Sequence, residues 1–393
     1  MLLELHIIQN FAPSNLNRDD TGAPKSCEFG GYRRARISSQ SIKRAIRGEF
    51  KGGLLPLKNR GERSKRFRKL VGEMLEAKGH GLEESQCVFD AALGGLGIVS
   101  ERRGTDEESE VLTEVLVFAD RGQLQRFAEV CDANFDALTT AYTKAWTKAK
   151  GKPSKDAAKD AVPKTIVDRL ALALDGASSG DLALFGRMLA DLPKRNIDAA
   201  SQVAHAISTH QVSSEFDYYT AVDDLKPTDT AGADMIGTVE FNSACFYRYA
   251  NIDISQLEKN LGGDRELVEA TLRAFLLASR DAIPTGKQNS FAARNAPAFF
   301  FTVVRDRGAW SLANAFADPV RAGREAGLIE ASIRALDAHW GELVSMYGAP
   351  AGAKLAVAAL GQPALANLKP HQVSNFTALL DRTLEAARPV KGG

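Results

Sequence analysis

The start of the chain alternates between apolar and polar positions. Apolar side chains recur at every second residue: Leu3, Leu5 and Ile7. This is the period of a strand, so we predict a buried first strand over residues 2–9. Residues 12–31 are rich in proline, asparagine, aspartate and glycine and are expected to form a loop, after which an extended segment is expected at 34–37.

A helix with two unlike faces is predicted directly after this extended segment. Ser38 and Ser39 are favourable N-cap residues, because a hydroxyl can accept a hydrogen bond from the free N–H groups of the first turn. Apolar side chains then recur at the spacing of one helical face: Ile42, Ala45, Ile46 and Phe50. The opposite face carries Lys43, Arg44 and Arg47, so one face is expected to be buried and the other basic.

The middle third of the chain, residues 60–200, shows the helical period and no strong strand pattern. Its clearest helical stretches are 124–142, 165–174 and 182–192. A further helix is predicted over 197–211. The pattern therefore indicates a helical insertion between two parts of another fold.

The remaining chain begins with a long polar segment and then returns to regular elements. Residues 213–237 are rich in turn formers and contain Tyr218 and Tyr219 side by side, which favours a functional loop or hairpin. Strands are predicted at 238–249 and 299–304, and helices at 265–281, 327–347 and 371–387. This order predicts an α+β fold in which helices cover one face of a sheet.

Composition excludes several classes of protein. The chain is 44% apolar and 25% charged, which rules out disordered, collagen-like and disulfide-rich chains. Its length of 393 residues suggests two or three folding units, or one core with large insertions. No apolar stretch reaches the ~18–20 residues that span a bilayer, so no membrane segment is expected. The N-terminus lacks a basic lead and the four cysteines form no CxxC pair, which favours a cytoplasmic protein.

Positive charge is concentrated in one segment although the whole chain carries only +1. Residues 32–69 contain 14 lysines and arginines against two acids, a local charge of +12 that leaves −11 for the rest of the chain. Such an excess is costly in self-repulsion unless the charges are solvated or an anion binds them. The patterned first part of the segment favours an anion.

Catalytic and cofactor motifs are not evident. The pair Gly286-Lys287 fails as a nucleotide-binding loop, because Asp281 stands where a glycine is needed and Gln288 where a magnesium-binding hydroxyl is needed. The histidines and cysteines have no zinc-binding spacing. We therefore expect no cofactor, no metal and no enzymatic activity.

The start of the predicted basic helix has the chemistry of a phosphate site. A helix N-terminus presents free N–H groups and partial positive charge, and Ser38 and Gln40 can donate hydrogen bonds there. The cations of the exposed face extend this charge along the helix, which suits a polyanion backbone better than a single phosphate. Tyr218 and Tyr219 could stack on bases, with ordinary core packing as an equal alternative.

Six blocks of sequence follow one another in a recognisable order. They are LNRDD at 16–20, FGGYRRARISSQSIKRA at 29–45, HAISTHQV at 205–212, TAVDDL at 220–225, FYRYANI at 246–252 and SLANAF at 311–316. Together they closely resemble the CasC family, the backbone subunits of type I-E CRISPR Cascade. The resemblance covers nearly the whole chain and is weakest in the middle third.

This resemblance implies a fold shaped like a right hand, with a palm that is RRM-like (ferredoxin-like). The implied divisions are a palm at 1–57 and 244–393 with a palm helix at 201–211, a helical fingers insertion at 58–200 and a β-hairpin thumb at 212–243. The names and bounds of these divisions are what the resemblance implies.

The resemblance also implies a function and its partners. Family members polymerise along CRISPR RNA (crRNA) as a filament, grip the phosphate backbone of its spacer and displace bases periodically, so that the remaining bases pair with target DNA. The implied partners are crRNA, target DNA by way of that crRNA, further copies of the chain and other Cascade subunits. Such a subunit serves antiviral defence without being an enzyme.

Individual residues acquire roles from the same resemblance. The implied contacts to the RNA backbone are Arg18, Lys25, Ser38, Gln40, Lys43, Arg44, Arg47 and Lys287. Tyr218 and Tyr219 of the thumb, with Met188 of the fingers, would displace the bases.

Two alternatives stay open. RRM-like relatives include endoribonucleases that process CRISPR repeat RNA, and His6, His205 or His210 could in principle act as an acid or base. No histidine stands beside a second catalytic candidate in the sequence, which disfavours this class. A monomeric RNA-binding module would differ from a filament subunit only in its oligomerisation.

Overall fold

Two compact units make up the described chain. The computed structural model describes residues 1–103, 110–149, 152–176, 178–188, 196–221, 235–324 and 326–388. One unit, here the sheet unit, comprises Met1–Leu54, Ser201–Ser255 and Leu272–Gly393; the other, the helical unit, comprises Leu55–Ala200 and Gln256–Thr271. Each has a hydrophobic core of its own.

The strands are distributed unequally between the two units. They are β1 (Leu2–Ser14), β2 (Ser26–Phe29), β3 (Tyr32–Ile37), β4 (Gly61–Ser64), β5 (Ser100–Arg103), β6 (Glu110–Thr113), β7 (Val117–Asp120), β8 (Ser201–Val203), β9 (Ala206–Ser208), β10 (Glu215–Ala221), β11 (Met235–Asp253), β12 (Phe299–Arg305) and β13 (Lys354–Ala359). Within the described residues, the sheet unit holds a nine-stranded sheet, whereas β4 pairs with β7 and β5 with β6 in the helical unit.

Strand β1 lies inside the large sheet. The order is β13-β12-β1-β11-β9-β3-β2, with β8 and β10 also paired with β11. Both neighbours of β1 run antiparallel to it, and the register pairs Leu5 with Ala250 of β11 and with Thr302 of β12. Three of its polar residues, Glu4, His6 and Gln9, are 0% exposed, and Glu4 pairs with Arg305 at 2.6 Å.

Helices are present in both units. They are α1 (Ser39–Glu49), α2 (Phe67–Glu76), α3 (Leu82–Gly95), α4 (Arg121–Asp132), α5 (Phe135–Tyr142), α6 (Lys155–Ala161), α7 (Lys164–Ala173), α8 (Gly180–Phe185), α9 (Ile254–Asn260), α10 (Arg265–Asp281), α11 (Gln288–Phe291), α12 (Leu328–Tyr347) and α13 (Phe376–Ala387). Among the described residues, no helix is long and apolar enough to cross a bilayer.

The core of the helical unit is formed mainly by α2–α7. Phe89 of α3 and Phe127 of α4 meet edge to face, with their ring centroids 5.9 Å apart. Asp120 caps α4 by accepting a hydrogen bond from the backbone N–H of Gln123, whose side chain in turn accepts from the N–H of Asp120. This capping box fixes the point at which β7 passes into α4.

Several predicted elements are confirmed. The α+β class is present, and α10 has the bounds that its apolar periodicity predicts. Strand β12 and helix α12 agree with prediction to within one residue at each end. These elements have a strong and continuous apolar pattern, which is the most reliable local signal.

Other predictions are wrong. The palm helix expected at 201–211, within the helix predicted over 197–211, is replaced by β8 and β9, which pair with β11, with β9 also pairing with β3. The middle third contains four short strands as well as helices, and β2 lies inside the expected loop. Pairing with other strands satisfies the backbone in these places, with a neighbouring strand for β2 and with the distant strand β11 for β8 and β9. The periodicity of a single short segment does not detect such pairing.

Candidate nucleic-acid interface

Helix α1 begins where the sequence predicts, and Ser38 acts as its cap. The Ser38 hydroxyl accepts a hydrogen bond from the N–H of Ser41 at 3.4 Å, while the N–H of Ser38 donates to Oδ1 of Asn17 at 2.8 Å. Ser38 is only 6% exposed, so it organises the helix start, whereas Gln40 is exposed. The two residues expected to donate to phosphate therefore differ in accessibility.

The cations of α1 differ in their exposure. Ile42 and Ile46 are buried, which orients the helix with its basic side outward. Lys43 and Arg47 are half-buried and Arg44 is exposed. Burial lowers the pKa of Lys43. Within the described chain, the Arg44 side chain has no hydrogen bond or ion pair.

The loop that carries Arg18 is held by its own polar groups. The Asp19 carboxylate accepts hydrogen bonds from the N–H and hydroxyl of Thr21 and from the N–H of Ala23. The Thr21 hydroxyl is the main reason that the pKa of Asp19 is lowered. These hydrogen bonds fix the turn that follows Arg18, whose own side chain is exposed at the surface.

Asn15 and Gly286 connect this loop to two distant segments. The Asn15 side-chain amide donates to the carbonyls of Gly22 and Glu240, both at 2.9 Å. A Cβ at Gly286 would lie 2.4 Å from the carbonyl oxygen of Leu16, so only glycine fits there. This close approach places the following residue, Lys287, beside the loop.

A cavity of about 760 Å³ lies between this loop, α1 and the segment before Lys287. It is lined by Leu16, Asn17, Arg18, Asp19, Asp20, Thr21, Gly22, Ser41, Arg44, Ala45, Gly48, Glu49, Ile283, Pro284, Thr285, Gly286 and Arg294. A smaller cavity of about 330 Å³ shares Arg18 and borders Lys287. The predicted contacts Arg18, Arg44 and Lys287 therefore line two adjoining cavities, together with Arg294 and the acids Asp19, Asp20, Glu49 and Glu240. We name this surface the basic groove after its three predicted cations.

Lys25 lies in a separate cationic cluster of the sheet unit. Arg36 and His205 are joined by a contact of 3.1 Å between Nη1 and Nδ1. Burial lowers the pKa of His205, and the charges of Arg36 and Lys25 lower it further. A neutral imidazole that accepts from a guanidinium fits this arrangement.

The three histidines of the endoribonuclease alternative differ in exposure, because His205 is exposed, His210 half-buried and His6 fully buried. His6 is 0% exposed, and its Nδ1 lies 2.9 Å from the Tyr247 hydroxyl. Burial, aided by the charge of Arg305, lowers the pKa of His6 to about 3. The Nδ1 of His210 lies 2.7 Å from the carbonyl of Gln211. A substrate at the surface does not reach the His6 ring in this arrangement.

The two adjacent tyrosines lie in β10 and point to opposite faces of the hairpin, as neighbours in a strand must. Tyr218 is 63% exposed and Tyr219 45%. The Tyr219 ring lies over Gly237, where an added Cβ would come within 2.3 Å of it. Residues 222–234 lie outside the described residues, and they include the last four residues of the TAVDDL block.

Phe216 is an exposed aromatic residue that the sequence analysis missed. It is 68% exposed, borders the smaller cavity and shares the face of Tyr218, two residues away. The spacing of two residues within a predicted hairpin was the available signal. Met188, the predicted partner of the tyrosines, is 83% exposed and belongs to the helical unit, where it borders another cavity with Arg63 and Phe118.

Comparison with protein families identifies the chain. The model of the Cas_CT1975 family, described as CT1975-like protein, matches residues 3–385. The chain belongs to this family. No curated protein sequence matches it.

Solved structures support the same placement of this CT1975-like chain. It is similar to a chain of a CRISPR RNA-guided surveillance complex in a pre-nicking form, with a TM-score of 0.83 and 29% identity over 99% of this chain and 100% of that one. A second CRISPR RNA-guided surveillance complex contains a chain with a TM-score of 0.70 and 24% identity, covering 98% and 100%. The resemblance seen in the sequence is confirmed at the level of a Cas protein, and the type I-E CasC assignment stays a prediction.

Proposed function

We propose that this chain is a backbone subunit of a CRISPR RNA-guided surveillance complex, of the type I-E CasC kind. Copies bind side by side along crRNA as a filament, together with other Cascade subunits. The sheet unit is the RRM-like palm and grips the spacer backbone, and the β10–β11 hairpin is the thumb. The proposal rests on the family membership and on the full-length similarity to a chain of such a complex.

The basic groove is the observation that carries this function. Arg18, Arg44 and Lys287 come from three separate segments, and within the described residues none of their side chains has a hydrogen bond or ion pair. Such cations can bind phosphates without contacting base edges. A subunit that carries many different guides needs to bind RNA independently of its sequence, because base pairing with target DNA supplies the specificity.

No catalytic role is part of the proposal. The subunit holds RNA, displaces bases with Tyr218, Tyr219 and Met188, and leaves the intervening bases free to pair with target DNA. The predicted contacts Lys25, Gln40, Lys43 and Arg47 would extend the grip on either side of the basic groove. Neither a cofactor nor a metal is required for any of these steps.

The test removes charge from α1 and, as a control, from a second basic region. The variant Lys43→Ala/Arg44→Ala/Arg47→Ala should weaken binding of unrelated single-stranded RNAs to a similar extent. The slope of log affinity against log salt should fall by roughly 0.7 for each phosphate that the variant no longer neutralises. The control Lys58→Ala/Arg66→Ala/Lys69→Ala removes the same charge from exposed positions of the helical unit.

Fluorescence anisotropy with two RNAs of equal length and different sequence measures both variants. Wild-type affinity in the α1 variant would contradict the proposal, and so would an equal loss in the control. A loss that affects only one RNA sequence would also contradict it, because phosphate contacts carry no sequence information.

A further inference from the structure

The β10–β11 hairpin presents an aromatic ring beside the basic groove. Phe216 is directly opposite Glu240 in the register, so their side chains share one face of the hairpin. Its ring is 68% exposed and has no ring partner among the described residues. A large apolar plane kept at the surface in this way has no role in either core.

The space next to Phe216 is a small cavity with positive charge at its border. Its volume is about 330 Å³, near the lower end for small-ligand pockets, and Phe216, Glu240, Arg18 and Lys287 line it. The carboxylate of Glu240 repels a phosphate from the part of the cavity beside the Phe216 ring. Arg18 and Lys287 attract phosphates to their own part of its border. The charges therefore favour a base at Phe216 and phosphates at the two cations.

Contacts within the protein hold these segments in place without a ligand. The Asn15 amide joins the Arg18 loop to the carbonyl of Glu240, and Gly286 packs against Leu16. Asn15 is itself 0% exposed. Three segments far apart in sequence thus meet at this point, and the arrangement is preorganised for a ligand.

We propose that Phe216 is a stacking platform for one nucleobase of the bound single strand, while Arg18 and Lys287 hold the flanking phosphates. This inference rests on the proposed function, because it takes single-stranded RNA as the ligand. Phe216 occupies the face of β10 opposite to Tyr219, so the hairpin contacts bases on both of its faces. Stacking of this kind tolerates any base, as a carrier of many guides requires.

The test separates binding of bases from binding of phosphates. The full chain is titrated with fluorescent oligoadenylate RNA and with an abasic ribose-phosphate oligomer of the same length. Valine is favourable in a strand but has no aromatic ring on which a base can stack. Phe216→Val should therefore weaken oligoadenylate binding roughly tenfold and leave binding of the abasic oligomer unchanged. Phe216→Trp should retain wild-type affinity for both probes, because it keeps a stacking plane.

A matched control uses another exposed aromatic residue. Tyr347 at the end of α12 is 64% exposed and borders neither cavity of the basic groove, so Tyr347→Ala should bind both oligomers as the wild type does. Wild-type oligoadenylate affinity in Phe216→Val would overturn the inference, and so would an equal loss with both oligomers. If the triple variant of α1 still loses affinity in that case, only this inference fails and the proposed function stands.

Discussion

The two halves of the basic segment use their charge in different ways. The first basic half, residues 32–51, lies in the sheet unit, and the second, residues 58–69, lies in the helical unit. In the second half, Arg68 pairs with Asp90 at 2.8 Å and Arg66 with Glu110 at 2.9 Å. Much of the positive charge in the second half is therefore neutralised by acids within its own unit.

Arg34 and Arg44, both in the first basic half, differ in their surroundings. Arg34 is 0% exposed and donates to the carbonyls of Ser208, Phe316 and Ala317. Arg44, in contrast, has no side-chain partner within the described chain. A run of positive charge thus divides into charges that hold the fold together and charges that are available to an anion, and counting charges in the sequence does not separate them.

The largest loss of stability is expected from a substitution in the second basic half. Arg68→Ala should lower the free energy of unfolding by about 3 kcal/mol or more, because it leaves the Asp90 carboxylate buried without its cation. The two side chains are 17% and 2% exposed, and burial already raises the pKa of Asp90 against the influence of Arg68. Hydrogen exchange at the amides of α2 and α3 measures the loss within the helical unit.

Arg66→Ala is the matched control for this change. Its pair with Glu110 is 64% and 49% exposed, so the cost should stay below about 1 kcal/mol. Equal effects of the two substitutions would show that burial does not distinguish these ion pairs. The division of the basic segment into structural and available charges would then fail.

A second comparison tests the role of Arg34 through two adjacent glycines. Gly30 and Gly31 both have positive φ, 63° and 79°, so alanine is strained at either position. Only at Gly30 would the new Cβ collide, 1.9 Å from the carbonyl oxygen of Ala317 that accepts from Arg34. Gly30→Ala should therefore cost about 2 kcal/mol more than Gly31→Ala in urea unfolding. Equal costs would mean that this contact does not hold the β2–β3 hairpin.

Local chemistry explains which parts of the fold were predictable from sequence. The Ser38 cap, α1 and α10 depend on residues within a few positions of one another, and their predicted positions are confirmed. The strands at 201–203 and 206–208 depend on partners some 40 to 50 residues later in the sheet, so a helix was predicted there instead. Strand β13 was missed because its alanines give little strand signal and its pairing is with β12.

The candidate site was predictable in its residue types and not in its assembly. The charges of Arg18 and Lys287 are visible in the sequence, but nothing there shows that Asn15 and Gly286 join the segments around them. Those contacts join residues more than 200 positions apart. Their consequence, the exposed Phe216 beside the cations, therefore also escaped prediction.

The smallest expected effect is a difference between the two units in how mild acid changes their stability. Four histidines of the sheet unit, His6, His205, His210 and His371, have a lowered pKa, chiefly through burial. In the helical unit, the Glu101 carboxylate has a pKa lowered to about 2 by hydrogen bonds from Lys152 and Arg103, so it keeps its charge in mild acid. Between pH 7 and 5 the two units should therefore respond differently.

His6 lowers stability in acid, whereas burial raises the pKa of Glu4 in the same strand, which acts in the opposite direction. The pKa of His6 is about 3 in the folded chain against an ordinary value of 6.5, so below pH 6.5 the unfolded chain takes up a proton that the folded chain does not. The contribution of His6 to stability is complete above that pH and falls by about 1.4 kcal/mol for each unit of acidification, which is about 1.4 kcal/mol at pH 5.5. Hydrogen exchange at pH 7 and 5.5 should show this loss in β1 and β11, and His6→Gln should remove most of it. Equal losses in α3 and β1 would contradict the difference between the units, because they would place the titrating groups elsewhere in the chain.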